Sequence, residues 1–275
     1  MAINWYPGHM HKAIKELRKI LPGTKAMIEV LDARIPCSSS NPSLAELDAD
    51  IPRIKILNKA DLADPEATTA WRNHFNAQTN TGCLISTVDE PVTESAIVSQ
   101  AETLCEPLPQ DRSGQIVIVG IPNVGKSTLL NALAGRKLAN TGNEPAVTKG
   151  QQRIRLNERW FLVDTPGLLW PKLEDQDGAY KLALTGTIRN TAIDLEDIGW
   201  FAAEYFLKNH RSALDARYQL PAQVDDTESC LEHIAALRGA RGKGGGIDWY
   251  KTAELLLNDY RSGKLGRLTL ERPQL

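Results

Sequence analysis

The sequence predicts an α/β fold, a mostly parallel sheet flanked by helices, followed by a small all-α C-terminal domain. Three observations predict it. Short apolar runs alternate with amphipathic stretches through the first part of the chain. One of them, IVIVG (116–120), passes through a glycine-containing loop directly into KSTLLNALAG (126–135), a strand–loop–helix passage. Beyond about residue 177 helical periodicity continues with no convincing strand between the segments.

In order along the chain, Met10, Ile14, Leu17 and Leu21 recur at helical spacing, and Lys12, Lys15, Arg18 and Lys19 take the other faces, so 10–21 reads as a basic amphipathic helix. AMIEVLDAR (26–34) is a strand, followed by a turn-rich stretch from Pro36 to Pro42. RIKIL (53–57) is a second strand, 65–78 a helix, CLIST (83–87) a third strand and 92–105 a helix. EPLPQDRSG (106–114) reads as a linker before strand 116–120 and helix 126–135. Segments 153–157 and 159–164 read as two strands joined by a tight turn. Helices follow at 178–189, 194–209, 227–238 and 248–262, broken by Pro221 and the glycine-rich GARGKGGG (239–246). The domain boundary falls at 172–177, which divides the chain into 1–175 and 176–275.

Several classes are disfavoured by composition. No run approaches the roughly 18 apolar residues of a membrane-spanning helix, and the start MAINWYPGHMHKA has no apolar signal core. Cys37, Cys83, Cys105 and Cys230 are scattered without a C-x-x-C pair, which argues against a zinc site or a disulfide framework. A cytoplasmic chain is expected, without membrane contact and with no sign of oligomerisation, hence a monomer.

The passage Gly120-Ile121-Pro122-Asn123-Val124-Gly125-Lys126-Ser127 fits G-x-x-x-x-G-K-[ST]. Its backbone N–H groups, including those of Val124, Gly125 and Thr128, would point at phosphate oxygens at a helix N-terminus. Lys126 would reach the β- and γ-phosphates, and the Ser127 hydroxyl would ligate Mg²⁺. Asp164-Thr165-Pro166-Gly167 fits the D-x-x-G of GTPases, with Asp164 toward Mg²⁺ and the Gly167 N–H toward the γ-phosphate. Thr148 in PAVTKG is the leading candidate for a switch threonine on Mg²⁺, with Thr141 as its competitor.

Asn58-Lys59-Ala60-Asp61 fits N-K-x-D, the guanine-reading segment of GTPases. Asp61 would accept from guanine N1–H and N2–H₂, donors that adenine lacks. The Lys59 stem would pack over the purine, and Ile85-Ser86-Thr87 would support the base oxygen through backbone. This segment precedes the phosphate loop, whereas most GTPases carry it after. The permuted order is chemically permissible, because ligands of open α/β sheets sit at the carboxyl ends of the strands and only spatial order matters there.

The order NKAD, IST, GIPNVGKST, PAVT, DTPG resembles the circularly permuted P-loop GTPases. WYPGHM, VLDARIP and DTPGLLWPK resemble the ribosome biogenesis GTPase A (YlqF) family in particular, over about residues 3–175, and the helical region more loosely. The resemblance implies a permuted GTPase domain with a small helical domain. It further implies a factor for late assembly of the large ribosomal subunit, binding its precursor (rRNA and ribosomal proteins), with hydrolysis stimulated by the particle. A GTPase acting on tRNA or another structured RNA is the alternative. IST replaces the usual S-A-K, and Ala146 stands where the family tends to have glycine. The resemblance also marks Asn123 as a potassium ligand beside the phosphates.

Many GTPases place a water-orienting glutamine after D-x-x-G; here Leu168 and Leu169 occupy the place and cannot hydrogen-bond water. The catalytic group must come from elsewhere in the chain or from the partner. His9, after the Pro7-Gly8 turn and before the basic helix, is the candidate, and the resemblance implies the same residue. Net charge is −2, but it is unevenly spread. Residues 1–25 hold five Lys/Arg and one acid, residues 230–275 hold eight basic and five acidic groups, and the body between is left at −9. The two basic ends are the expected RNA contacts.

Overall fold

The computed structural model describes residues 9–47, 50–135, 153–167, 175–188, 193–242 and 244–273; for 9–13 and 45–46 it describes backbone only. The chain forms two compact units. Among the described residues, one comprises 9–167 together with 269–273, and the other 175–268.

The first unit opens with α1 (His9–Ile20) and a 3-10 turn at Leu21–Gly23. It continues through β1 (Thr24–Asp32), α2 (Ser43–Leu47), β2 (Arg53–Asn58), α3 (Pro65–Asn76), β3 (Thr81–Ile85) and α4 (Glu94–Leu104). Then come β4 (Gly114–Gly120), α5 (Lys126–Leu133), β5 (Arg153–Arg155) and β6 (Trp160–Asp164). The strands form one sheet in the order β3-β2-β1-β4-β6-β5. All neighbours are parallel except the edge pair β5–β6. Strands covered on both faces favour apolar residues, and β1, β2 and β4 are buried almost throughout, with the buried charges Glu29 of β1 and Lys55 of β2 paired to each other. Leu17 and Leu21 seat α1 on Met27, Val117 and Val119, while Trp71 and Phe75 seat α3 on Leu31 and Leu57. Helix α3 starts where Asp64 accepts the Ala67 N–H at 2.7 Å and Pro65 fills the first turn.

Several elements end earlier than the sequence pattern suggests, and for two strands the cause is visible. The strand expected over 26–34 stops at Asp32, because the Asp32 carboxylate takes the Arg34 backbone N–H at 3.1 Å and turns the chain. The strand expected over 153–157 stops at Arg155, because Leu156 N–H and Asn157 N–H both turn to the Trp160 carbonyl.

The second unit holds α6 (Gln176–Leu184), α7 (Leu195–Asn209), α8 (Arg211–Tyr218), α9 (Thr227–Arg238) and α10 (Trp249–Arg261). Asp194, Asp226 and Asp248 cap α7, α9 and α10 through their side chains. Helices α7 and α10 meet closely enough that a Cβ on Gly199 would lie 2.3 Å from the Ala253 Cβ. Phe206, Leu214, Tyr218, Ile234, Leu256 and Tyr260 fill the core. At one edge of it the buried Asp259 carboxylate receives Arg217 at 2.7 Å, Arg238 at 3.6 Å and Lys264 at 3.7 Å, three cations on one anion.

The division into 1–175 and 176–275 needs one correction. Residues 262–268 stay with the helices, but the chain then leaves them: among the described residues, 269–273 belong to the sheet unit. Leu270 N–H donates to the Arg34 carbonyl at 2.8 Å, and the Trp71 indole N–H donates to the Glu271 carbonyl at 3.1 Å. The Glu271 carboxylate accepts from the backbone N–H of Cys37 at 2.7 Å and of Ser38 at 3.1 Å. Burial of Leu270 and these backbone partners hold the tail there.

Candidate nucleotide site

All the parallel strands end on one edge of the sheet, and the motifs hang from that edge. Asn58 ends β2, Gly120 ends β4, Asp164 ends β6 and Ile85 ends β3. Register brings them level: Asp32 of β1 pairs with Asn58, Val30 with Gly120, and Ile118 with Asp164. Short loops from neighbouring parallel strands therefore share one crevice, where such sheets bind ligands.

The loop 121–125 curls into a left-handed pocket of backbone. Asn123 has φ 59° and Gly125 has φ 94°, and Gly125 caps α5 at its N-terminus. Successive N–H groups in such a curl converge and favour an anion. The segment 58–59 is bonded directly to this loop. Asn58 Nδ2 donates to the Val124 carbonyl at 2.9 Å, and Lys59 Nζ donates to the Asn123 carbonyl at 2.6 Å. A Cβ on Gly125 would lie 2.3 Å from Asn58 Nδ2, so only glycine admits this contact. Gly125→Ala should therefore break the Asn58–Val124 bond and lower stability by about 1–3 kcal/mol. Denaturant unfolding of the two proteins checks it.

Lys126, at the first turn of α5, is buried and ion-paired with the buried Asp164, and its ammonium also donates to the Thr165 carbonyl at 2.5 Å. Thr165 is fixed by its hydroxyl on the Ile118 carbonyl at 2.8 Å. Gly167 packs against the phosphate loop, 3.5 Å from Pro122 N for an added Cβ. Ser127 is half-buried and Thr128 exposed on the same helix turn. The Ser127 hydroxyl and Asp164 carboxylate are hard oxygen donors of the kind Mg²⁺ takes, so this end of the sheet fits a nucleotide with its magnesium.

Asp61 and Ala60 follow Lys59 in a turn where Ala60 N–H donates to the Ser86 carbonyl at 3.2 Å. Val88 N–H donates to Asp61 Oδ1 at 3.4 Å. The Ser86 N–H is used by the Leu57 carbonyl at 2.9 Å and the Thr87 N–H by the Glu90 carbonyl at 3.1 Å. The Thr87 hydroxyl accepts the Glu90 N–H at 2.8 Å, closing that turn. A backbone contact from Thr87 to a base oxygen would require its N–H to leave Glu90.

One charged cluster escapes sequence reading. Asp32 is buried and its carboxylate binds Arg34 twice, Nε at 2.9 Å and Nη2 at 2.7 Å, and Lys59 Nζ at 3.1 Å. Burial alone would raise the Asp32 pKa, but the charges of Arg34 and Lys59 hold it well below the usual carboxylate range. Burial lowers the Lys59 pKa, and the opposing Asp32 charge offsets part of that. The only sequence signal was an acid closing an apolar strand two residues before an arginine.

Thr148, its competitor Thr141, Ala146, Leu168 and Leu169 lie outside the described residues. His9 opens α1, whose backbone is described there, while its side chain is not. Further along α1, Leu17 is buried and Lys15, Arg18 and Lys19 are exposed, so the basic face points outward. Among the described residues no helix is long and apolar enough to cross a membrane.

Residues 115–202 match a family described as 50S ribosome-binding GTPase. The chain is 39% identical to ribosome biogenesis GTPase A of Bacillus pumilus, over all of both proteins. It is 31% identical to the ribosome biogenesis GTPase A of Thermotoga maritima, covering 99% of this chain and 95% of that one. Identity to the mouse mitochondrial ribosome-associated GTPase 1 is 33%, over 98% and 90%. Among solved structures, GNP-bound YlqF from T. maritima matches with a TM-score of 0.68 and 27% identity, covering 96% of this chain and 99% of that one.

Proposed function

The chain belongs to the ribosome biogenesis GTPase A family, and from that premise we propose that it is a GTP-driven factor for late assembly of the large ribosomal subunit, with hydrolysis stimulated by the particle. The observation that carries the nucleotide half of this reading is the pair of bonds from Asn58 and Lys59 to the phosphate loop. A guanine-selective segment and a phosphate cradle 66 residues apart in sequence are thereby one binding surface.

In this reading Asp61 accepts from guanine N1–H and N2–H₂, the Lys59 stem covers the ring, and Ala60, Ser86 and Thr87 border the base. Backbone N–H groups of Val124, Gly125 and Thr128 hold the phosphates. Lys126 exchanges its Asp164 and Thr165 partners for the β- and γ-phosphate oxygens, which leaves Asp164, with Ser127 and Thr148, to hold Mg²⁺. The metal's contribution is neutralisation of phosphate charge in the transition state. The Gly167 N–H reports on the γ-phosphate. Asn123 adds a K⁺ ligand, and K⁺ there would supply the positive charge that other GTPases take from an arginine finger. His9 orients the attacking water once the basic N-terminal helix engages the particle.

The basic ends are the RNA contacts in this reading: the outward face of α1 and the helical unit, where Arg217, Arg238 and Lys264 crowd one carboxylate. Uncompensated cations held in fixed places suit a phosphate backbone. The test is GTP turnover with and without purified large subunits, in K⁺ and in Na⁺. Large subunits should raise turnover, and replacing K⁺ by Na⁺ should slow it. No stimulation by large subunits would favour a tRNA or another RNA as partner; equal rates in the two salts would remove K⁺.

A further inference from the structure

The cluster around Asp32 has no part in reading a base or holding a phosphate, yet it is fixed from several sides. Its carboxylate oxygens are both in use, Oδ1 by Arg34 and Oδ2 by Arg34 and Lys59. The Asp32 N–H donates to the Ser39 hydroxyl at 3.1 Å, and the Ala33 N–H to the Asn58 carbonyl at 2.8 Å. The following loop is held in turn by Leu270 on the Arg34 carbonyl and by Glu271 on Cys37 and Ser38. Asp32 is a rigid anion at the end of the strand lying between the base-reading strand and the phosphate-loop strand.

Lys59 stands at the other end of that contact. Its backbone is left-handed, with φ 58°, and its ammonium is shared between Asp32 and the Asn123 carbonyl. One partner comes from β1 and the other from the phosphate loop, so the nitrogen is fixed from two directions. A four-carbon stem with its tip pinned twice has few rotamers left. Such a stem offers a pre-arranged apolar strip to a flat ring. With Asn123 alone, the tip would be held by a single carbonyl of a loop that must also accommodate phosphate.

We propose that Asp32 is a positioning residue for base recognition: its buried carboxylate, fixed by Arg34, holds the Lys59 ammonium so that the lysine stem lies ready over the guanine ring. This rests on the reading of Asn58–Asp61 as the guanine-reading segment. Asp32 touches neither base nor phosphate and acts only through Lys59.

A double-mutant cycle on the full chain tests it, read by titration with fluorescent GDP and by GTP steady-state kinetics. Asp32→Asn should weaken GDP binding about tenfold, the size expected for losing one charge-assisted hydrogen bond. The loss should appear in KM for GTP rather than in kcat, since Lys59 works at the base and not at the reacting phosphate. In a Lys59→Gln background the Asp32→Asn loss should vanish. Losses that multiply instead would overturn the proposal. Because Asp32→Asn also removes the charge that pairs with the buried Arg34 guanidinium, the same cycle is run in an Arg34→Met background, which removes that cation. If Lys59→Gln alone leaves GDP affinity unchanged, the guanine-reading assignment falls and this inference with it. If it weakens GDP while the cycle stays multiplicative, only the role of Asp32 is lost.

Discussion

Asp61→Asn is expected to exchange guanine for xanthine, with GTP and GDP affinity falling by about 10⁴-fold and xanthosine nucleotides gaining. Guanine offers two donors on one edge, N1–H and N2–H₂, and a carboxylate with two acceptor oxygens answers both. An asparagine answers one and turns its NH₂ toward the other, a donor against a donor. Xanthine has a carbonyl where guanine has the amine, so the same NH₂ becomes a partner. Asp61 sits on a turn whose Ala60 N–H is bonded to the Ser86 carbonyl, and Val88 N–H lies 3.4 Å from its Oδ1. Competition of GTP and XTP for the variant decides it; unchanged GTP affinity would remove Asp61 from the base site.

His9→Ala is the second expected result of large size. GTP affinity should stay near that of the parent, while particle-stimulated turnover drops by about 10²-fold or more, the usual contribution of a placed general base or water-orienting group. The ground is an absence and a position. Leu168 follows Gly167 where a water-orienting polar group is common, and an aliphatic chain cannot do that work. His9 is the first residue of α1, whose exposed Lys15, Arg18 and Lys19 form a face suited to RNA. Docking this helix on RNA and supplying an imidazole would then be one event. Single-turnover hydrolysis with saturating large subunits measures the effect, and stimulated rates equal to the parent's would dismiss His9.

Much of the GTPase unit was legible because its physics is local. Strands β1, β2 and β4 carry short apolar runs (AMI, VL, IL, IVIV) because both faces are covered, and the phosphate loop is a strand–glycine–helix passage that announces itself. What escaped was either too short or too distant. Helix α2 has five residues, less than two turns, so no period can be read from it. Helix α8 buries only Leu214 and Tyr218, too few for an amphipathic stripe. The contact between Asp32 and Lys59 joins residues 27 apart, and nothing in either segment points at the other until adjacent parallel strands bring their ends level. The tail 269–271 reaches residues more than 190 positions away, and each of these bonds has on one side a backbone group, which every sequence possesses.

That tail changes the chain's topology. With 269–273 packed beside residues 33–38 and α3, the helical unit is an insert rather than an appendage: the polypeptide leaves the GTPase unit after the D-x-x-G segment and re-enters it at Thr269. Stopping the chain at residue 175 would thus remove part of the GTPase unit itself, leaving Trp71 and the Cys37 and Ser38 amides without their Glu271 partners. An insert is also doubly tethered. A load on the helical unit reaches the nucleotide fold along two covalent threads, one entering after Gly167 and one at Thr269, whose segment is hydrogen-bonded to the loop that begins at Asp32.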